Sequence, residues 1–182
     1  MNIGIIALAG VPFHAKTLEE RPLGGTETGV IKLAESLHLA GHQVVVISNH
    51  ENPPPSEPLY LAPSAITHLG ELDVIIAVRN WLSAITYPKA KVKCLWTGDS
   101  YDQPATYGLG DLRVSSQIDQ LLLVSDWQKQ TLCSSSGFPL EKALVINNGI
   151  DLERFKPQVE KPKRLIYSST PYRGLSYYQI SS

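Results

Sequence analysis

Polar side chains gather after short apolar runs in this chain, and their types limit the chemistry they can do. Gly24 and Gly25 stand directly before a helical pattern in Pro22-Leu23-Gly24-Gly25-Thr26-Glu27. Two glycines there let backbone N–H groups come close to a phosphate or sugar at the positive helix end. The structural alternative is a flexible loop running into an N-cap at Thr26. Asp99 and Asp102 lie in the loop Thr97-Gly98-Asp99-Ser100-Tyr101-Asp102. Such carboxylates bind sugar hydroxyls, act as a base, or simply remain solvated. Arg79 and Asn80 add a cation and an amide, and Ser48, Asn49 and His50 follow another apolar run. Ser125 reads as a helix cap, because Gln128 completes a capping box with it. Asn148-Gly149 is a turn signal first and a ligand contact second.

Several chemistries are disfavoured. The five histidines (14, 38, 42, 50 and 68) show no metal-ligand spacing, and His42 reads as a structural residue at a helix-to-strand corner. There is no G-x-S-x-G elbow and no P-loop. Gly24-Gly25 is not G-x-G-x-x-G, and a gap of roughly 17 residues from the first strand is too long for a dinucleotide fingerprint. A nicotinamide-dependent oxidoreductase therefore rests on sheet topology alone. Sixteen basic against seventeen acidic side chains give a net charge of −1, without the basic excess that nucleic-acid binding needs. Cys94 and Cys133 form no C-x-x-C pair and read as buried thiols in a reducing compartment. No apolar run approaches the ~20 residues of a membrane span. The opening Met1-Asn2-Ile3-Gly4-Ile5-Ile6 lacks the positive lead of a signal peptide, so the expected location is cytoplasmic.

The elements that must hold these groups follow from the hydrophobic pattern. Apolar runs at 3–8, 44–47, 74–78, 92–96, 121–124 and 143–146, most of them continuous rather than alternating, predict strands covered on both faces. Leu59-Tyr60-Leu61, flanked by Pro58 and Pro63, is an edge strand at most. The spacing of Val30, Leu33, Ala34 and Leu37 predicts a helix over 26–40 that stops at Gly41. A second helix starts at Ser125, with Trp127 and Leu132 buried behind it, and shorter ones cover 80–87 and 112–118. This alternation predicts an α/β fold: a doubly wound, mainly parallel, Rossmann-like sheet with helices on both faces. In such a sheet ligands bind beyond the carboxyl ends of the strands. The residues there carry hydroxyls, amides, carboxylates and one Arg, which suits a polyhydroxylated ligand.

A polar segment with two prolines, 155–162, predicts a domain boundary. Residues 1–160 are expected to form the Rossmann-like domain, and 161–182 a linker and the first strand, Leu165-Ile166-Tyr167, of a second one. About 15 residues follow that strand, fewer than the ~30 of one βαβ repeat. The chain is therefore expected to stop just inside its second domain.

In order along the chain, the features resemble the N-terminal domain of a GT-B glycosyltransferase of the retaining group often called family four. The resemblance covers residues 1–175. It is carried by the first strand, the Gly24-Gly25-Thr26-Glu27 turn, Leu39-Ala40-Gly41-His42-Gln43-Val44-Val45-Val46 and Leu123-Val124-Ser125-Asp126-Trp127-Gln128. The most specific piece is Asn147-Asn148-Gly149-Ile150-Asp151-Leu152-Glu153-Arg154-Phe155. The family's fold sets two Rossmann-like domains across a cleft, the first holding mainly the acceptor and the second most of a nucleotide-diphosphate sugar.

The resemblance implies that Gly24 and Gly25 approach the donor's phosphates. It also implies that Arg173, in Ser169-Thr170-Pro171-Tyr172-Arg173-Gly174-Leu175, presents a cation to the pyrophosphate. Gly98 stands where many members have a His that contacts the transferred sugar. No catalytic residue is therefore assigned, and Asp99 is a substrate contact only. The substrate or donor contacts expected are Gly24, Gly25, Thr26, Asn80, Asp99, Tyr101, Ser125, Asn148 and Arg173, with no metal and no cofactor beyond the donor itself. The family's paired-glutamate motif is not in this sequence, so the chain is expected to be inactive alone. The alternative function is a non-catalytic sugar- or nucleotide-binding module that self-associates through the face a second domain would cover. Contact with a membrane surface has no support in the sequence.

Overall fold

Runs of Ile and Val without polar interruption hide both faces only inside a parallel sheet. The computed structural model, which describes residues 1–86, 89–152, 155, 156, 160 and 163, places them there. The strands are β1 (Asn2–Ala7), β2 (Gln43–Ser48), β3 (Leu59–Leu61), β4 (Leu72–Val78), β5 (Ala90–Trp96), β6 (Gln120–Leu123) and β7 (Ala143–Val145). All pair in parallel in the order β3-β2-β1-β4-β5-β6-β7. The fold is α/β and Rossmann-like. Ile5 is centred between Val46 and Ile76 and is fully buried.

The helices are α1 (Thr17–Glu20), α2 (Gly25–Leu39), α3 (Trp81–Ile85), α4 (Leu112–Ser115) and α5 (Asp126–Ser136). Val30, Ile31 and Ala34 of α2 pack with Phe13 on one face of the sheet, against Ile5, Val46, Tyr60 and Ile76. The other face receives α3, α4 and α5, whose Ala84, Val114 and Leu132 pack on Ala77, Leu95, Leu121 and Leu123. A 3-10 turn over Pro63–His68 closes that second face beside Ile6, Ile47 and Ile75. Each fully buried Ile or Leu contributes roughly 1.5–3 kcal/mol. Alternate residues of the central strands feed the two layers, which fixes the register firmly.

Four local expectations need correction. The cap of α2 is Gly24, with φ −67° and ψ 164°, and not Thr26, so the helix begins one residue earlier. Trp127 is 64% exposed, whereas Leu132 is buried. Gln128 and Leu132 are one turn apart and share the inward face of α5, which turns Trp127 outward. The helix after Asn80 ends at Ile85 rather than continuing, consistent with Pro88 in the sequence, which disfavours helix before it. α4 ends at Ser115 because the chain must turn to bury Ile118 ahead of β6. Leu59–Leu61 is the edge strand expected, and Gly41 ends α2 with a positive φ of 85°.

The chain divides into two compact units, Met1–Asn148 and Gly149–Ser182. In the second, the Phe155 N–H donates to the Asp151 carbonyl at 2.9 Å. Leu165-Ile166-Tyr167 and Arg173 lie outside the described residues. No described helix is long and apolar enough to cross a membrane.

Candidate functional site

The strand order reverses at β1, whose neighbours are β2 on one side and β4 on the other. Loops leaving β1 and β4 therefore part in opposite directions and open a crevice at their carboxyl ends. A cavity of about 400 Å³ lies there, lined by Ala9, Arg79, Asn80, Trp81, Leu82 and Tyr107. A larger one, about 500 Å³, lies at the amino ends of β1 to β4, beside His38, His42, Glu57 and Glu71. We place the site in the smaller cavity, because it lies at the switch of strand order and Arg79 of the forked Arg79–Asp99 pair lines it.

Arg79 directly follows β4 and holds a left-handed backbone, φ 64°, which is costly for a residue with a side chain. Its N–H donates to the Trp96 carbonyl at 2.8 Å. The turn aims the side chain across to the end of β5. There Nε donates to Asp99 Oδ2 at 2.8 Å and Nη2 donates to Oδ1 at 2.7 Å. This fork raises the Arg79 pKa above the ordinary arginine value, and the Glu27 charge adds to the rise. Asp99 is 7% exposed, and the Thr97 hydroxyl donates to Oδ2 at 3.0 Å while accepting from the Asp99 N–H. Both carboxylate oxygens are thus engaged, and Asp99 is no free base.

Gln128 of α5 locks this corner from behind. Its Nε2 donates to the carbonyls of Thr97 (3.1 Å) and Asp99 (2.8 Å), and its Oε1 accepts from the Val124 N–H at 2.8 Å. A buried amide with its groups satisfied rigidifies the loops it joins. Further round the rim, the Thr106 hydroxyl contacts the carbonyls of Ser100, Tyr101 and Gln103. Tyr101 is held in that loop with its side chain 44% exposed.

On the β1 side Ala9 lines the cavity, and the Gly10 and Gly24 turns lie against Glu27. Gly24 caps α2, and a Cβ on Gly25 would meet open space. Thr26 follows, half-buried, and Glu27 turns inward. Residues after β2 brace the loop from outside: the Ser48 hydroxyl donates to the Phe13 carbonyl at 2.6 Å, and Asn49 Nδ2 donates to the Gly10 carbonyl at 3.4 Å. His14 and His50 meet edge to face at 5.1 Å.

Of the expected contacts, Asn80 lines the cavity, Asp99 pairs with Arg79 beside it, and Gly24, Gly25 and Thr26 form the start of α2. Asn80 also caps α3, its side chain accepting from the Leu82 N–H at 3.0 Å. Ser125 spends its hydroxyl as the cap of α5, accepting from the Gln128 N–H at 3.2 Å. Asn148 is exposed at the end of the first unit, beside Asn147, whose amide donates to the Val124 carbonyl at 3.1 Å. No protein-family model matches the chain, and no curated protein matches it. Among the described residues no group of three His, Cys, Asp or Glu side chains could hold a metal ion.

Arg79 and Glu27 are the two residues that sequence reasoning underrated. Arg79 stood in the polar rim without a role, and Glu27 looked like an ordinary first-turn carboxylate favoured by the helix dipole. The available signal for Arg79 was its place as the first polar residue after the apolar run 74–78.

Proposed function

We propose that this Rossmann-like unit is the acceptor-side domain of a nucleotide-sugar-dependent, retaining glycosyltransferase of GT-B type. The observation that carries the reading is the crevice at the β1/β4 reversal, where Asn80 and Arg79, itself forked to Asp99, line a cavity of about 400 Å³. Such a wall offers donors and acceptors in fixed directions, as hydroxyl-rich ligands require. Leaving-group stabilisation by cations at a diphosphate belongs to the other wall of such a cleft, where the family resemblance puts Arg173. Binding is the activity proposed for the chain itself.

Calorimetry with UDP-glucose, GDP-mannose and NADH tests this. The reading expects weak binding of a nucleotide sugar and none of NADH. Binding of NADH in preference to both sugars would reverse it in favour of an oxidoreductase.

One observation favours a second reading, a non-catalytic binding module that self-associates. Gly98 brings no side chain to the end of β5, and Asp99 has both oxygens committed. Sugar transfer measured on the protein carrying its full complement of domains separates the two. Turnover supports the transferase, and tight binding of a sugar by a dimer without turnover supports the module.

A further inference from the structure

The cavity at the strand reversal is lined by two unlike sets of residues. Arg79 and Asn80 are its polar part, and the rest is apolar or aromatic, chiefly Trp81, Leu82, Pro104 and Tyr107. Leu82 is 50% and Tyr107 59% exposed, so both offer surface to an occupant. The polar tips of the aromatic residues are engaged elsewhere. Trp81 Nε1 donates to the Tyr107 carbonyl at 2.9 Å, and Tyr107 Oη donates to the Asp102 carbonyl at 3.1 Å. Gly108 packs beside the indole, where a Cβ would stand 3.4 Å from the ring. What Trp81 and Tyr107 add to the cavity is therefore mainly carbon. In the polar part, Asn80 Oδ1 accepts from the Leu82 N–H, and Nε and Nη2 of Arg79 donate to Asp99. Arg79 Nη1 and Asn80 Nδ2 have no acceptor among the described residues, and no described carboxylate lines the cavity. The side-chain groups left for an occupant are donors beside a wall of carbon.

We propose that the acceptor taken by this cavity is a glycoside with an aromatic aglycone, its sugar at Arg79 and Asn80 and its ring along Trp81, Leu82 and Tyr107. The inference rests on the transferase function proposed above and names the acceptor class of that site. A free hexose carries hydroxyls all round its rim, and seated here it would set some of them against carbon without partners. An amphipathic ligand avoids that cost, because its hydroxyl oxygens accept from Arg79 Nη1 and Asn80 Nδ2 while its apolar ring leaves water. At about 400 Å³ the cavity is at the small end of ligand pockets, which suits one hexose and one ring rather than an oligosaccharide.

The test uses the full chain labelled with ¹⁵N-tryptophan, the Trp81 indole line being the one missing in Trp81→Phe. Glucose, phenyl β-glucoside, phenol and UDP-glucose are titrated in turn. Phenyl β-glucoside is expected to bind roughly tenfold tighter than glucose and to move the Trp81 line. Leu82→Ala should weaken the phenyl glucoside roughly threefold more than it weakens glucose. A phenyl glucoside that binds no tighter than glucose, or that leaves the Trp81 line in place, overturns the proposal. Phenol binding as tightly as the phenyl glucoside overturns it too, because the sugar then contributes nothing. The comparison of ligands on the wild-type chain stands even if a variant folds poorly. Preference for the phenyl glucoside with no binding of UDP-glucose would sink the transferase reading and keep this one. UDP-glucose binding without that preference would do the reverse.

Discussion

Arg79 and Asp99 join the ends of neighbouring strands β4 and β5 through a two-pronged contact of 2.8 and 2.7 Å. The guanidinium side chain is 38% exposed and the carboxylate side chain only 9%. One partner therefore looks into the crevice while the other is sealed beneath it. The pair fixes a cation at the switch of strand order without leaving it free to wander.

Removing the cation strands a sheltered anion. Arg79→Ala should lower unfolding free energy by about 2 kcal/mol, below the usual cost of breaking a fully buried pair because Arg79 is partly solvated. Arg79→Gly also relieves the left-handed backbone, so it should cost roughly 1 kcal/mol less than Arg79→Ala. Urea midpoints of the two variants check the order. A glycine variant less stable than the alanine one would mean that the φ of 64° stores no strain.

Gln128 offers a second check on the same corner. Glu in its place keeps the acceptor for the Val124 N–H but sets a carboxylate against the carbonyls of Thr97 and Asp99. A loss of about 2–3 kcal/mol is expected from the two missing donors and the buried charge. Thermal unfolding of Gln128→Glu measures it. A loss below about 0.5 kcal/mol, the range of ordinary surface changes, would show that the amide does not brace the loops.

The sheet was legible because burial on both faces leaves a mark in composition. Val74-Ile75-Ile76-Ala77-Val78 has no solvated position, so its sequence alone announces a central strand. Even the brief Leu59–Leu61 edge strand was readable from its flanking prolines. Side-chain direction on α5 was harder. Trp127 looks like core by type, yet the capping geometry of Ser125 and Gln128 sets the rotation of the helix and turns it outward. The site was less legible still. Asp99 reads as a loop carboxylate until Arg79, twenty positions earlier, is brought beside it by strand pairing. Glu27 gives the same local signal whether it faces solvent or is buried. Only the approach of Gly10 from the β1 loop distinguishes the two.

The buried thiols predict an alkaline limit to stability. Burial raises the Cys94 pKa from 9.0 to about 11 and pushes Cys133 up as well. The unfolded chain ionises these thiols near their ordinary value, whereas the folded chain keeps their protons. The stabilisation is therefore complete below pH 9.0 and is lost as pH rises from there through about 11. Cys94 alone should account for about 2 kcal/mol across that window. Denaturant unfolding at stepped pH reads the slope, and Cys94→Ala should flatten it. An unchanged slope in that variant would assign the alkaline loss to other groups, such as Tyr60, whose pKa burial also raises.

The crevice at the strand reversal is the centre of the account, and amide mapping by ¹⁵N NMR tests it most directly. On titration with UDP-glucose and the monosaccharides, the expected shifts fall on Gly10, Gly24, Thr26, Arg79, Asn80 and Asp99, with the far ends of the strands unmoved. Shifts gathered instead around Asn2, His42 and Glu57, at the larger cavity on the opposite end of the sheet, would contradict it.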